Sequence, residues 1–180
     1  MKHLLSVLAF VFFLSVASLV QADTKVYFSP NGGCQEIVVS QISRARHSIE
    51  IAMYAITSRE IAQAIVKAKD RGIKVRVVLD KSQIKEITSK SRYLIKKDVN
   101  VKFHIGPGLM HDKFAIVDDR AVLTGSFNWT AAADKKNAEN LLLITDKEIA
   151  MKFVKQFKHL WSQSGEGAFN EHSDENKDRE

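Results

Sequence analysis

Four side chains with a repeated spacing point to phosphate chemistry. His111 and Lys113 stand two residues apart, and Ser126 and Asn128 repeat that interval downstream. A free imidazole is largely neutral near pH 7 and can act as a nucleophile or proton carrier. An ammonium holds phosphoryl oxygens through charge-assisted hydrogen bonds about twice as strong as neutral ones. The serine hydroxyl and the asparagine amide can address the remaining oxygens. Lys113 to Val117 reads as a strand, and alternate strand positions share a face, so imidazole and ammonium point the same way. Asp118 lies an odd number of positions from both, and is expected to face the other side and hold the turn, with Arg120 as a partner. Taken alone, His111 would be an ordinary surface histidine; the company of Lys113 and Gly125-Ser126-Phe127-Asn128 makes it the candidate catalytic residue. Asp112, Asp118 and Asp119 could suggest a hard-metal site, but crowding at a turn explains them equally well, and the histidine-lysine chemistry calls for no metal and no cofactor. Phe127 and Trp129 are read as packing around the site.

The elements that must position these groups follow from periodicity. Lys25 to Phe28 alternates as a strand, and Ser29-Pro30-Asn31-Gly32-Gly33 is a turn cluster. Cys34 to Arg46 carries apolar residues at helical spacing, with Cys34 an inert residue at the helix start. Ser48 to Ala55 is a central strand. Thr57-Ser-Arg-Glu60 has the form of a capping box and opens a helix ending near Arg71-Gly72. Ile73 to Leu79 and Val99 to Ile105 read as strands around a helix spanning Ile84 to Lys97. Gly106-Pro107-Gly108 is a loop leading to His111. Lys113–Val117 and Ala121–Thr124 form a hairpin about a tight Asp118-Asp119-Arg120 turn. A polar segment, Thr130 to Ala138, precedes a strand from Glu139 to Thr145 and an amphipathic helix from Asp146 to Trp161. Strand-helix alternation early and adjacent strands late predict an α/β fold, a mixed β-sheet sandwiched between α-helices.

His111-x-Lys113-x4-Asp118, followed six residues later by Gly125-Ser126-x-Asn128, resembles the signature of the phospholipase D superfamily, without a mismatch. A single copy in a short chain with no internal repeat is similar to the small bacterial endonucleases of that superfamily. The resemblance implies metal-independent phosphodiester hydrolysis through a phosphohistidine on His111, with Lys113, Ser126 and Asn128 on the phosphate and Asp118 and Gly125 as motif residues of structural role. It also implies that Glu139 orients the histidine through its other ring nitrogen. One attacking histidine cannot also protonate the leaving oxygen in the same step. A two-fold homodimer, bringing a second His111 to the same phosphate, is the simplest solution.

Composition bounds the partners. The 180-residue chain has a formal net charge of +6 and one cysteine, Cys34, so no internal disulfide is possible. Residues 1–22 read as a signal peptide, with an uncleaved membrane anchor as the alternative: Lys2, then an apolar run from Leu4 to Val20 ending at Val20-Gln21-Ala22. Periplasmic or secreted localisation follows, without stable membrane association after cleavage. Residues 23–164 form the expected catalytic domain, with 24 basic and 15 acidic residues; residues 165–180 form an acidic tail with six acids and two bases, expected to be disordered. A basic body suits a polyanion, so DNA, with RNA second, is the expected partner. Nothing resembles a helix-turn-helix or a zinc finger, which favours cleavage with little sequence preference. Two other readings stand: a phospholipase D-type hydrolase or transferase acting on lipid head groups, and a non-catalytic nucleic-acid-binding module.

Overall fold

The computed structural model describes residues 22–167, so the expected leader, Ala22 apart, and tail residues 168–180 lie outside the described residues. The elements run β1 (Asp23–Ser29), α1 (Cys34–Arg44), β2 (Ser48–Met53), α2 (Arg59–Asp70), β3 (Lys74–Asp80), a 3-10 turn (Lys81–Ile84), α3 (Ser91–Lys96), β4 (Asn100–His104), β5 (Lys113–Val117), β6 (Ala121–Gly125), α4 (Ala131–Lys135), β7 (Glu139–Thr145), α5 (Lys147–Ser162) and β8 (Ser164–Gly165). The strands form one sheet in the order β1-β7-β6-β5-β2-β3-β4-β8. The β2-β3 and β3-β4 pairs are parallel and the others antiparallel. The expected mixed sheet between helices is what the chain forms.

Strand alternation builds both cores. Ile49, Ile51 and Met53 of β2, with Val77 and Leu79 of β3, face Val38 and Ile42 of α1 and Ile61 and Ile65 of α2. The intervening Ala52 and Val78 face the other way, against Val154, Phe157 and Leu160 of α5. Glu50 also lies on the α5 side, paired with Arg76, whose guanidinium stands 5.1 Å from the ring centres of both Phe157 and Trp161. Cys34 is fully buried; burial, with Asp134 and Glu36 adding to it, pushes its thiol up and away from reactivity.

Several elements differ from their sequence reading. The helix expected over Ile84 to Lys97 is a 3-10 turn and a short α3 separated by a loop. Local side-chain bonds replace helical ones there: the Thr88 hydroxyl donates to Glu86 at 2.8 Å, and the Ser91 N–H donates to the Ser89 hydroxyl at 3.3 Å. Asp80 caps the 3-10 turn by accepting from the Ser82 N–H at 2.9 Å. The cap of α2 is Ser58, not Thr57: its hydroxyl accepts from the Ile61 N–H at 3.2 Å, while the Thr57 and Ser58 amides both bond to the Trp129 carbonyl. The polar segment after Thr130 contains α4, capped by the Thr130 hydroxyl on the Ala133 N–H at 3.1 Å. Beyond α5, Ser164 and Gly165 pair with His104 and Phe103, which carries the sheet just past the expected domain boundary.

Candidate active site

The antiparallel register gathers the motif at one end of the sheet. Met53 of β2 pairs with Lys113 at the start of β5, Phe114 with Thr124 near the end of β6, and Gly125 with Leu141 near the start of β7. This is also the carboxyl end of the parallel strands, where ligand crevices of open α/β sheets form. His111 precedes β5, so its side chain is placed by the loop as well as by strand alternation.

The expected pair meets. Lys113 Nζ lies 3.3 Å from His111 Nδ1 and 3.4 Å from Nε2, and donates to the His111 carbonyl at 2.9 Å. Tyr54, just beyond β2, completes the group: its ring stands edge-on to the imidazole with centroids 4.8 Å apart, and Lys113 Nζ is 5.6 Å from the phenol ring centre. The Tyr54 N–H donates to the Asp112 carbonyl at 3.1 Å, which fixes the approach of the two segments. Burial holds the Lys113 ammonium below its ordinary lysine value, against the opposing pull of Glu139 and Asp112.

The second half of the motif is built around a close approach of β6 to β7. Gly125 has φ +152°, and a Cβ there would lie 2.3 Å from the Asn140 carbonyl oxygen. Its absence lets the Ser126 and Phe127 amides both donate to that oxygen, at 3.1 and 3.2 Å. Ser126 is thereby set against β7: its hydroxyl donates to Glu139 Oε2 at 2.6 Å and accepts from the Asn140 N–H at 3.0 Å. The other Glu139 oxygen accepts from the Asn137 amide at 3.1 Å. Glu139 therefore bonds to Ser126 and Asn137, and among the described residues it makes no hydrogen bond to His111. Asn128 is half-buried, and its buried carboxamide oxygen has no hydrogen-bond partner among the described residues. Phe127 and Trp129 are both buried in the core beneath the site.

Asp118 stands apart from this group because it lies just past the opposite end of β5, in the turn at φ 53°, where the alternation of an unbroken strand no longer applies. Its carboxylate accepts from the amides of Arg46, His47 and Ser48 at 3.0, 2.7 and 3.0 Å. These amides, rather than Arg120, are its partners. Burial raises its pKa, but the three amide bonds outweigh that and hold the carboxyl below its ordinary value. Asp118 and Asp119, at φ 53° and 52°, supply the left-handed pair that the hairpin turn demands. Asp112 turns elsewhere, accepting from Gln156 of α5 at 3.1 Å. Among the described residues no three His, Cys, Asp or Glu side chains gather as a metal cage would require. A groove of about 370 Å3 leads to His111 and Lys113 between β5, β6 and α5, with Thr124, Lys152, Phe153 and Gln156 among its lining residues. Tyr54, Lys152 and Gln156 have no signal in the local sequence; they reach the site through strand order and the packing of α5.

Comparisons with known proteins agree with this geometry. Residues 38–161 match the family model described as "Cardiolipin synthase, PLD-like domain". A protein named phospholipase D from Rickettsia felis is 38% identical over 143 residues, 79% of this chain and 72% of that protein. The crystal structure of Nuc, a phospholipase D family member from Salmonella typhimurium, superposes with a TM-score of 0.77 at 31% identity, covering 83% of this chain and 100% of that one. NucT from Helicobacter pylori superposes with a TM-score of 0.74 at 30% identity, covering 80% of this chain and 98% of that one.

Proposed function

The chain belongs to the phospholipase D superfamily and is a phosphodiester hydrolase of that family, and from this premise we propose that it is an endonuclease, acting on DNA and secondarily on RNA with little sequence preference. The observation that carries the reading is the His111–Lys113 pair, 3.3 Å apart at the mouth of an open groove. A ring nitrogen of His111 attacks phosphorus and forms an N–P bond while the P–O bond to the leaving nucleoside breaks. The leaving oxygen takes a proton from His111 of the partner subunit in a homodimer. That second imidazole then removes a proton from water, whose oxygen attacks phosphorus and releases His111. Lys113 and Asn128 hold the non-bridging oxygens. Ser126 joins them by exchanging its bond to Glu139 for one to phosphate. The Glu139 oxygen so released is free to accept the imidazole N–H, which reconciles its present partners with a positioning role.

The basic body, the groove cation Lys152, and the near-complete overlap with Nuc and NucT support nucleic acid as substrate. A second reading, hydrolysis of a lipid phosphodiester, is favoured by Ile105 and Leu109, 67% and 62% exposed just ahead of His111, and by the name of the Rickettsia relative. Export to the periplasm or beyond completes the proposal; among the described residues no helix is long and apolar enough to cross a membrane.

The test is digestion of plasmid DNA, RNA and phosphatidylcholine vesicles side by side in EDTA, with the mass of the protein measured in solution. Nucleic-acid cleavage that survives EDTA is expected; cleavage of lipid alone would overturn the nuclease reading. Exchanging subunits with an equal amount of His111→Ala protein should lower wild-type activity to about half, because mixed dimers lack one of the two imidazoles. A monomeric enzyme would lose nothing.

A further inference from the structure

The catalytic groove lies on the α5 side of the sheet end, and a larger hollow opens on the opposite side. It encloses about 580 Å3 between α2 and α3 and is lined by Arg59, Ala62, Gln63, Lys90, Tyr93 and Lys97. Arg59 and Gln63 stand one turn apart on α2, and Lys90, Tyr93 and Lys97 recur at three- and four-residue intervals, so each set shares a helix face. Arg59 and Lys97 are exposed, and Lys90 and Tyr93 half-buried. Among the described residues none of the three cations forms an ion pair. The adjoining acid Glu60 is hydrogen-bonded to the Ser58 hydroxyl at 3.2 Å, outside the hollow's lining. Three like charges around one concavity repel each other, and a bound anion would relieve that repulsion.

The hollow connects to the catalytic motif through the backbone. The Lys90 N–H donates to the Ile56 carbonyl at 2.8 Å, and Ile56 bridges to Trp129, the residue after Asn128. Two such steps amount to about 10 Å, twice the separation of neighbouring strands. A nucleic-acid strand covers that in about three nucleotides, at ~3.4 Å each along the axis of a duplex. Tyr93 adds a ring on which a base can stack whatever its identity.

We propose that the α2–α3 hollow is a second nucleic-acid-binding site, in which Arg59, Lys90 and Lys97 hold backbone phosphates flanking the scissile one and Tyr93 supports a base. The inference rests on the nuclease reading and adds a substrate track to it. The test replaces the three cations together, Arg59→Gln, Lys90→Gln and Lys97→Gln. A control removes the same charge at the far end of α2 and β3, with Lys67→Gln, Lys69→Gln and Lys74→Gln. Turnover of bis(p-nitrophenyl) phosphate, too small to reach the hollow, should be unchanged in both variants. Each lost phosphate contact lowers the salt slope by ~0.7 for single strands and ~0.9 for duplex, so the ratio of variant to wild-type KM for long DNA should fall about 20- to 40-fold as salt rises from about 50 to about 200 mM. The control should show a far smaller change. A flat ratio, or one matching the control while wild type cuts DNA normally, overturns the hollow as a binding site and leaves the nuclease reading standing. A wild type that leaves DNA and RNA intact removes both.

Discussion

Replacing Asp118 separates a structural carboxylate from a catalytic one. Its side chain accepts three amide N–H bonds from Arg46, His47 and Ser48, and its backbone sits at φ 53°. Arg46 and His47 are exposed, so water can replace the lost acceptor there. Each bond then counts as a net exchange with solvent, about 0.5–1.5 kcal/mol, and the set as about 3 kcal/mol. Asp118→Ala loses all three and places a Cβ residue without a local hydrogen bond in the left-handed region, adding about 1 kcal/mol. Asp118→Asn tolerates that backbone and keeps one acceptor oxygen, so it should cost about 1–2 kcal/mol. Asp118→Gly relieves the backbone but not the bonds, and should fall between them. Urea unfolding midpoints at neutral pH give the ranking. The pH dependence supplies a second reading. The folded carboxyl sits below its ordinary value of 3.8, so its contribution is complete above that value and is lost as pH falls through the folded one. The stability gap between wild type and Asp118→Asn should therefore close in acid. Turnover per folded molecule should stay near wild type in Asp118→Asn. A variant with unchanged stability and abolished turnover would refute the structural assignment and place Asp118 in the chemistry.

Three further outcomes follow from the site. Lys113 must be protonated to hold phosphate, and burial lowers its pKa from 10.5, so activity should fall on the alkaline side below that value in a pH-rate profile. Lys113→Arg should be slower by about 10²-fold, the cost of one misplaced charge donor, yet show no such alkaline loss. The folded protein releases the Lys113 proton before the unfolded chain does, so stability should rise, not fall, as pH climbs through that window. Gly125→Ala puts a Cβ 2.3 Å from the Asn140 oxygen; it should destabilise by about 2–3 kcal/mol in urea titration and lower activity by displacing Ser126. Ser126→Ala removes the partner of Glu139 Oε2 and of the Asn140 N–H; kcat should drop about 10- to 100-fold with a smaller change in KM, because the hydroxyl turns to phosphate only when phosphate is present.

What the sequence made legible was local. Alternation in Ile49, Ile51 and Met53 marked the central strand and the face of its core. The odd spacing of Asp118 from His111 and Lys113 separated it from them in the reading, but the structure does so by strand end rather than by face: Asp118 lies past β5 at φ 53°, and its amide partners stand at the start of β2. Strand order was not legible, because β7 enters between β1 and β6, a long-range pairing that leaves no mark on periodicity. Tyr54 was invisible for the same reason: it reaches His111 only because β2 lies beside β5. The helix expected over Ile84 to Lys97 had apolar spacing, but Thr88, Ser89 and Ser91 offered closer hydrogen-bond partners than the helix did. Glu139 was named from the resemblance, and the bond it makes to Ser126 could be seen only once β6 and β7 were paired.

In the proposed mechanism the bonds around Ser126 let its hydroxyl turn to phosphate without the residue losing its place. A 2.6 Å bond ties the hydroxyl proton to Glu139, and the Asn140 N–H fills an acceptor position on the same oxygen. Phosphate competes for the proton alone, so the backbone bond continues to hold Ser126 in place during the exchange. In that mechanism the exchange would turn one Glu139 oxygen loose as the attacking imidazole gains positive charge and needs an acceptor for its other N–H. Lys113, held below its ordinary pKa by burial, gains most from the arriving anion, because a nearby negative charge favours its protonated form. Phosphate binding would then favour the protonated form of Lys113 and release a Glu139 oxygen for His111 together. In the proposed mechanism Glu139 acts through Ser126 before phosphate is held and through His111 during the reaction, starting from the bond it accepts from the Ser126 hydroxyl.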